Sequence, residues 1–345
     1  MTHSGRRVAF RSTARAVAAV LAVSACSAVS SATTAAGSLS PSASSTASLS
    51  ALVFSSAPPT STSAKPSPSA SRPSPSRVAV TRAPVVSRAA FAGLVTAAGV
   101  RQWLDCAGPG PLTLVVVPGL GSTTAAWSSV LGNLRRFVRT CVYDRPGLGH
   151  SPNRANATQV LDAGIQAGEL WALLQAAGER GPYVVLGHSY GGLIGRAFVA
   201  AHRSSVRGVF LAESVSPGDP STGRYWTEAG HRVDLQASGT ATHGGPPLGS
   251  LPLMVMSASR PDADHLSGPT YGQPQWMTTL WVRLQHANLT LSSDAIQVIA
   301  HSGHVLQQDD PPAVVEGARE LVAAVHTGAP LTCRGPWSSV GATCR

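Results

Sequence analysis

From about residue 100 onward, short apolar runs alternate with longer stretches in which apolar residues recur every third or fourth position. The short runs are 100–106, Leu112–Val117, Val138–Tyr143, Tyr183–Leu186, Val206–Ala212, Leu253–Ser257 and Ile296–Ala300. Their length and uniform apolarity predict strands buried on both faces. Between them, Thr124–Phe137 carries Trp127, Val130, Leu131 and Leu134 on one helical stripe, and Thr158–Ala177 carries Leu161, Ile165, Leu170 and Leu173 on another. Gly192–Ala201 and Pro311–His326 also read as helices, the last with Asp310 as its cap and Pro311 in its first turn. This alternation predicts an α/β fold with a doubly wound, mainly parallel sheet. Two stretches break the rhythm. Residues 218–250 and 265–292 are rich in Gly and Pro but carry Tyr225, Trp226, Trp276, Met277 and Trp281. They suit either a lid or insertion over the strand ends or a peripheral patch of core.

The chain ahead of this pattern has a different character. Residues 27 to about 85 are Ser, Ala, Thr and Pro with almost no large apolar side chain, a composition that predicts a disordered tether. Residues 1–26 read as an export signal: Arg6, Arg7, Arg11 and Arg15 precede the short apolar stretch Ala16–Val23. Val23-Ser24-Ala25-Cys26 then resembles a bacterial lipobox, so a lipidated Cys26 and plain secretion are both open. The 345-residue chain has a formal net charge of +10, from 26 basic and 16 acidic residues. Residues 1–88 hold nine of the basic residues and none of the acidic ones, which leaves 17 against 16 for residues 89–345. The folded part is nearly neutral, and the charge gives no support to a nucleic-acid partner. Its length suits one domain over 89–345. Cys106, Cys141, Cys333 and Cys344 lie there, an even number in an exported chain, and point to two disulfides. Cys333 and Cys344 close a short loop, leaving Cys106 for Cys141. No cysteine or histidine spacing suits a metal site.

Candidate chemistry centres on Gly187-His188-Ser189-Tyr190-Gly191, between the Tyr183 strand and the helix that follows. A serine on a tight strand-to-helix turn, with glycines that let backbones pass closely, is placed as a nucleophile. A nucleophilic serine needs a base, and the base needs an orienting acid. His304 follows the last long strand, so a parallel sheet brings it to the same edge as Ser189. His301 is the nearest competitor. His188 adjoins the nucleophile and reads as a packing histidine. Three acids suit the third position: Glu213, directly after the Val206 strand, and Asp262 and Asp264, beyond the Leu253 strand. Oxyanion donors are expected from the backbone N–H groups of Tyr190 and Leu120, the latter in Pro118-Gly119-Leu120-Gly121. A dinucleotide-binding turn over Gly119-x-Gly121 is the rival, but Thr124 stands in place of its third glycine.

Taken together, the domain resembles the α/β-hydrolases of the broad esterase, lipase and acyl-transfer superfamily over about residues 100–327. The likeness rests on Val117-Pro118-Gly119-Leu120-Gly121 with Trp127, on Tyr143-Asp144-Arg145-Pro146-Gly147-Leu148-Gly149-His150-Ser151, on Gly187 to Gly192, and on Ser302-Gly303-His304 with Asp310-Pro311. The resemblance implies Ser189 as nucleophile, His304 as base, Leu120 and Tyr190 as oxyanion donors, and an architectural role for the Asp144–Ser151 loop. It also implies that the strands holding Cys106 and Cys141 are neighbours, which supports their pairing. Pro118 departs from the histidine that many relatives carry there. The expected activity is hydrolysis of carboxylic esters without a cofactor, on a small-molecule acyl substrate. Amide, lactone or peptide cleavage and cofactor-free perhydrolysis use the same triad. An envelope-bound binding module that keeps the fold is the non-catalytic alternative.

Overall fold

The computed structural model describes residues 88–216, 225–243, 248–259 and 275–345. Residues 1–87, which carry the expected export signal, Cys26 and all but the last residue of the expected tether, lie outside the described residues, as do Asp262 and Asp264.

A nine-stranded sheet is built from β1 (Phe91–Ala97), β2 (Val100–Ala107), β3 (Thr113–Val117), β4 (Arg139–Asp144), β5 (Tyr183–His188), β6 (Val206–Ala212), β9 (Leu253–Ala258), β10 (Ala295–Ala300) and β11 (Thr343–Cys344). The spatial order is β1-β2-β4-β3-β5-β6-β9-β10-β11. From β4 to β10 the pairing is parallel, and β1, β2 and β11 add antiparallel edges. Alternate side chains of each central strand face opposite layers. Leu114, Val116, Leu186 and Phe210 pack toward α1 (Ser128–Leu134) and α7 (Pro311–Thr327). Val115, Val117, Val185 and Leu211 join the layer of α2 (Ala163–Ala176) and α3 (Tyr190–Ala201). Two buried faces explain why the strands read as continuous apolar runs rather than alternating ones.

The departures from the sequence reading have local causes. The edge strand β1 carries exposed residues, Phe91 and Leu94 among them, and so lacks an apolar signature. Thr124–Phe137 divides into a 3-10 turn, Thr124–Trp127, and α1. α2 starts five residues later than expected because the Asp162 carboxylate caps it, accepting from the Ile165 N–H at 2.8 Å. Leu161 is instead drawn into a bridge with Val233. At the other end of the chain, Asp310 caps α7 as expected, accepting from the Ala313 N–H.

The described part of 218–250 is a two-stranded hairpin, β7 (Tyr225–Glu228) and β8 (His231–Asp234), followed by α4 (Leu235–His243). Ala229 and Gly230 turn it with positive φ at both positions, a turn whose twist matches its strands. The hairpin docks beside Leu161, whose N–H donates to the Arg232 carbonyl and whose carbonyl accepts from Asp234. Its tip lies against Gly147, where an added Cβ would come within 2.5 Å of the Ala229 methyl. Within 265–292, α5 (Gln275–Ala287) precedes β10; after β10, a short α6 (Leu306–Asp309) precedes α7.

Both disulfides form, Cys106–Cys141 between β2 and β4 and Cys333–Cys344 in the C-terminal segment. The one grouping of metal-ligand types among the described residues is Cys106, Cys141 and Glu179. Its cysteines are bonded to each other, and Glu179 is held by Arg139 at 2.6 Å.

Candidate active site

Ser189 sits between β5 and α3 with φ 53° and ψ −123°, a backbone region that costs a non-glycine residue free energy. The neighbouring glycines make that turn possible. A Cβ on Gly187 would meet the Gly191 carbonyl at 2.6 Å, one on Gly191 would run into the Val117 carbonyl, and one on Gly192 into the Ser214 hydroxyl. Ser189 therefore rises at the C-terminal edge of the sheet, directly beside the turn that leaves β3.

His304 lies in the loop between β10 and α6, 7% exposed. Its Nδ1 is 3.4 Å from Glu213 Oε2. Glu213 is wholly buried at the end of β6, and it too has a positive φ, 45°. Its carboxylate is held on both oxygens: Oε1 accepts from the Ala258 N–H at 2.8 Å, and Oε2 accepts from the Trp281 indole N–H at 2.7 Å. Two donors besides the imidazole fix the plane of the acid that faces His304. The Trp281 ring also packs edge-on against the His304 ring, with centroids 5.8 Å apart.

His188 serves the site from behind. Its Nε2 lies 2.8 Å from the His304 carbonyl, so Nε2–H is the donor and the main chain at His304 is tied to the turn that carries Ser189. Burial drives the His188 pKa down to about 3, with the nearby His304 as a lesser cause, against the opposing effect of the hydrogen bond. The ring is neutral throughout the neutral range.

The N–H groups of Leu120 and Tyr190 are spent on no backbone acceptor among the described residues. Tyr190 opens α3, where the first N–H groups of a helix lack internal partners. Downstream of Leu120, the Asp144 carboxylate accepts from the Thr124 N–H at 2.6 Å and anchors the 3-10 turn.

Residues 113–290 match the family model described as the alpha/beta hydrolase fold. The chain belongs to the α/β-hydrolase family. Among curated relatives, this α/β-hydrolase is 28% identical over 188 residues to an uncharacterized protein of Schizosaccharomyces pombe, covering 53% of the chain and 32% of that protein. It therefore spans about a third of that relative's length. It is 25% identical over 239 residues to the uncharacterized protein YqjL of Bacillus subtilis, covering 65% of the chain and 89% of that protein. A thermophilic esterase from Thermogutta terrifontis shares the fold, with a TM-score of 0.50, 19% identity, 68% of this chain and 99% of the esterase covered.

Of the sequence-derived candidates in this α/β-hydrolase, Ser189, His304, Glu213, Leu120 and Tyr190 converge on one edge of the sheet. His301 is exposed. Trp281 and Glu228 come from the two stretches that suit a lid or a peripheral patch of core, and Arg145 from the Asp144–Ser151 loop; none of the three is singled out by the sequence as a site residue. Trp281 lay among the other aromatics of its stretch, and Arg145 within a loop assigned to architecture. Glu228 is an isolated acid in a Gly-rich insertion, with no local signal at all.

Proposed function

We propose that this α/β-hydrolase is an exported serine hydrolase of carboxylic esters, with Ser189, His304 and Glu213 as its triad. The observation that carries the reading is the pairing of buried Glu213 with His304 at the sheet edge where Ser189 is held at a positive φ. Strained backbone at both the serine and the acid is the kind of cost that persists where geometry serves chemistry.

In this mechanism His304 Nε2 removes the Ser189 proton as Oγ attacks the ester carbonyl. Glu213 keeps the imidazole oriented through Nδ1–H and stabilises the imidazolium that forms. The developing oxyanion faces the Leu120 and Tyr190 N–H groups. Collapse of the tetrahedral adduct expels the alcohol, which takes its proton from His304, and leaves an acyl group on Ser189. Water, deprotonated by His304, then releases the acid and restores the serine.

The composition of residues 1–88 supports export, and Cys26 offers a lipid attachment point. Two disulfides suit an oxidising compartment. A fluorophosphonate probe tests the chemistry. Labelling of wild-type protein that is lost in Ser189→Ala, with turnover of chromogenic esters lost in Ser189→Ala and His304→Ala alike, is the expected result. A folded wild-type protein that resists the probe, or equal labelling of Ser189→Ala, removes the reading.

A further inference from the structure

The turn that supplies Leu120 is gripped by an ion pair that shares none of its sequence. Arg145 and Glu228 lie 2.7 Å apart with side chains 1% and 2% exposed. Arg145 comes from the loop after β4, and Glu228 ends β7 of the hairpin insertion. Arg145 Nε donates to Glu228 Oε2 at 2.9 Å, and one of its terminal nitrogens donates to Oε1. The other donates to the Pro118 carbonyl at 2.7 Å, and the Gly119 carbonyl accepts a further bond from the guanidinium. Glu228 Oε1 accepts from the Gly121 N–H at 2.7 Å, and Oε2 from the Gln166 side chain at 3.3 Å.

The bonds to the Gly119 carbonyl and from the Gly121 N–H fall on the two peptide planes that flank Leu120, and the bond to the Pro118 carbonyl holds the plane before them. A trans peptide is rigid, and its N–H points opposite to its C=O. Drawing the Gly119 carbonyl toward Arg145 therefore turns the Leu120 N–H the other way, and the bond from Gly121 N–H to Glu228 fixes the next plane. Gly119 itself approaches the nucleophile's turn so closely that an added Cβ would come within 3.2 Å of Ser189 Cβ. With both planes held, Leu120 has little freedom left in which to misdirect its N–H. Burial alone favours the neutral forms. Instead Arg145 is pushed above its ordinary value and Glu228 below its own, because each charge and its hydrogen bonds outweigh the desolvation.

We infer that Arg145 and Glu228 are positioning residues for the oxyanion hole, so that the docked hairpin insertion completes the catalytic geometry of this hydrolase. This rests on the serine-hydrolase reading of the same site. Neither residue touches the reacting atoms; both act through Leu120. Their effect falls on the transition state, where negative charge sits on the oxygen that Leu120 faces, and so on kcat more than on KM.

The test uses the full-length protein, after fluorophosphonate labelling of wild type but not of Ser189→Ala has established the chemistry. Labelling that fails at that stage removes the reading, and the clamp with it, before any clamp variant is made. Glu228→Gln leaves Arg145 as a buried cation without its counter-charge and lowers stability as well as rate. The double variant R145M/E228M removes both charges together, and E228D keeps the charge while shortening the arm. A misplacement on the order of 1 Å costs about a hundredfold in rate. E228D is accordingly expected to lose about tenfold in kcat, and E228Q and R145M/E228M about a hundredfold, with KM changed by less than about threefold. Inhibition by phenylboronic acid, whose tetrahedral adduct places an oxygen in the hole, should weaken by the same factors. Melting temperatures identify the folded variants. Wild-type kcat and boronate affinity in any folded member of the set overturn the inference, as does a loss confined to KM.

Discussion

Ser189 and Glu213 are two of only four non-glycine residues with positive φ among the described residues, and the other two, Ala98 and Ala229, sit in hairpin turns. The unfavourable backbone is thus spent either on chain reversal or on the candidate triad. Packing on both sides holds it there, His188 included. Because the folded pKa of His188 is near 3 and its unfolded value near 6.5, the unfolded chain binds more protons between those limits. Stability therefore falls as pH drops through that window, by about 1.4 kcal/mol per pH unit. His188→Gln keeps a donor for the His304 carbonyl but removes the titration. The pH dependence of unfolding free energy, followed by denaturant melts between pH 6.5 and 3, should flatten by about that slope; an unchanged slope rejects the assignment of a neutral buried ring. At this scale the sequence was informative where chemistry depends on neighbours in the chain. Gly187-x-Ser189-x-Gly191 announces its own turn, and His304 follows a strand by a fixed distance. Glu213 was legible only as one of three candidate acids, because the choice depends on which strand end faces His304. Arg145 and Glu228, 83 residues apart, meet only through tertiary structure.

The helix α5 shows how an element can be fixed by directed bonds as well as by an apolar stripe. Met277, Leu280, Trp281 and Leu284 recur at helical spacing, but the Gly- and Pro-rich residues ahead of them mask the pattern in the sequence. It is docked by directed bonds: Trp281 to Glu213, and Gln285, fully buried, donating to the Ser214 carbonyl at 2.7 Å. These two side chains are one helical turn apart and grip consecutive residues beyond β6. The same logic explains the hairpin, whose main-chain bonds to Leu161 substitute for a large apolar face. A hydrogen bond to a charged group is worth about 1.5–3 kcal/mol. Trp281→Phe keeps most of the packing but frees one oxygen of Glu213, and kcat is expected to fall roughly tenfold as the acid loses its fixed plane. Val282→Ala, on the exposed side of α5, should leave kcat unchanged. Equal rates in Trp281→Phe and wild type argue that Ala258 alone holds the carboxylate.

Over the whole molecule, the strand–helix alternation transmitted the parallel sheet and its two cores faithfully, since burial on both faces leaves little choice of residue. The edges were less legible: β1 is half exposed, and β11 is two residues long. One covalent link ties down the edge strand β11, and the other joins β2 to β4 just inside the opposite edge. Cys106–Cys141 closes a 35-residue separation and Cys333–Cys344 one of 11. Loop-closure entropy assigns them about 4 and 3 kcal/mol. Replacing Cys106 and Cys141 by serine should therefore lower the melting temperature by about 10 °C, and replacing Cys333 and Cys344 by somewhat less. Calorimetry showing no loss from either pair would place the links outside the stability of the fold. The docked hairpin has a consequence for any attempt to re-engineer this protein. Insertions on this fold invite exchange, as modules to be swapped for a new substrate range. Here the strand that ends at Glu228 is not a free module. A graft that discards residues 225–234 takes away the carboxylate that receives the Gly121 N–H. A graft that keeps them and varies α4 onward leaves it in place.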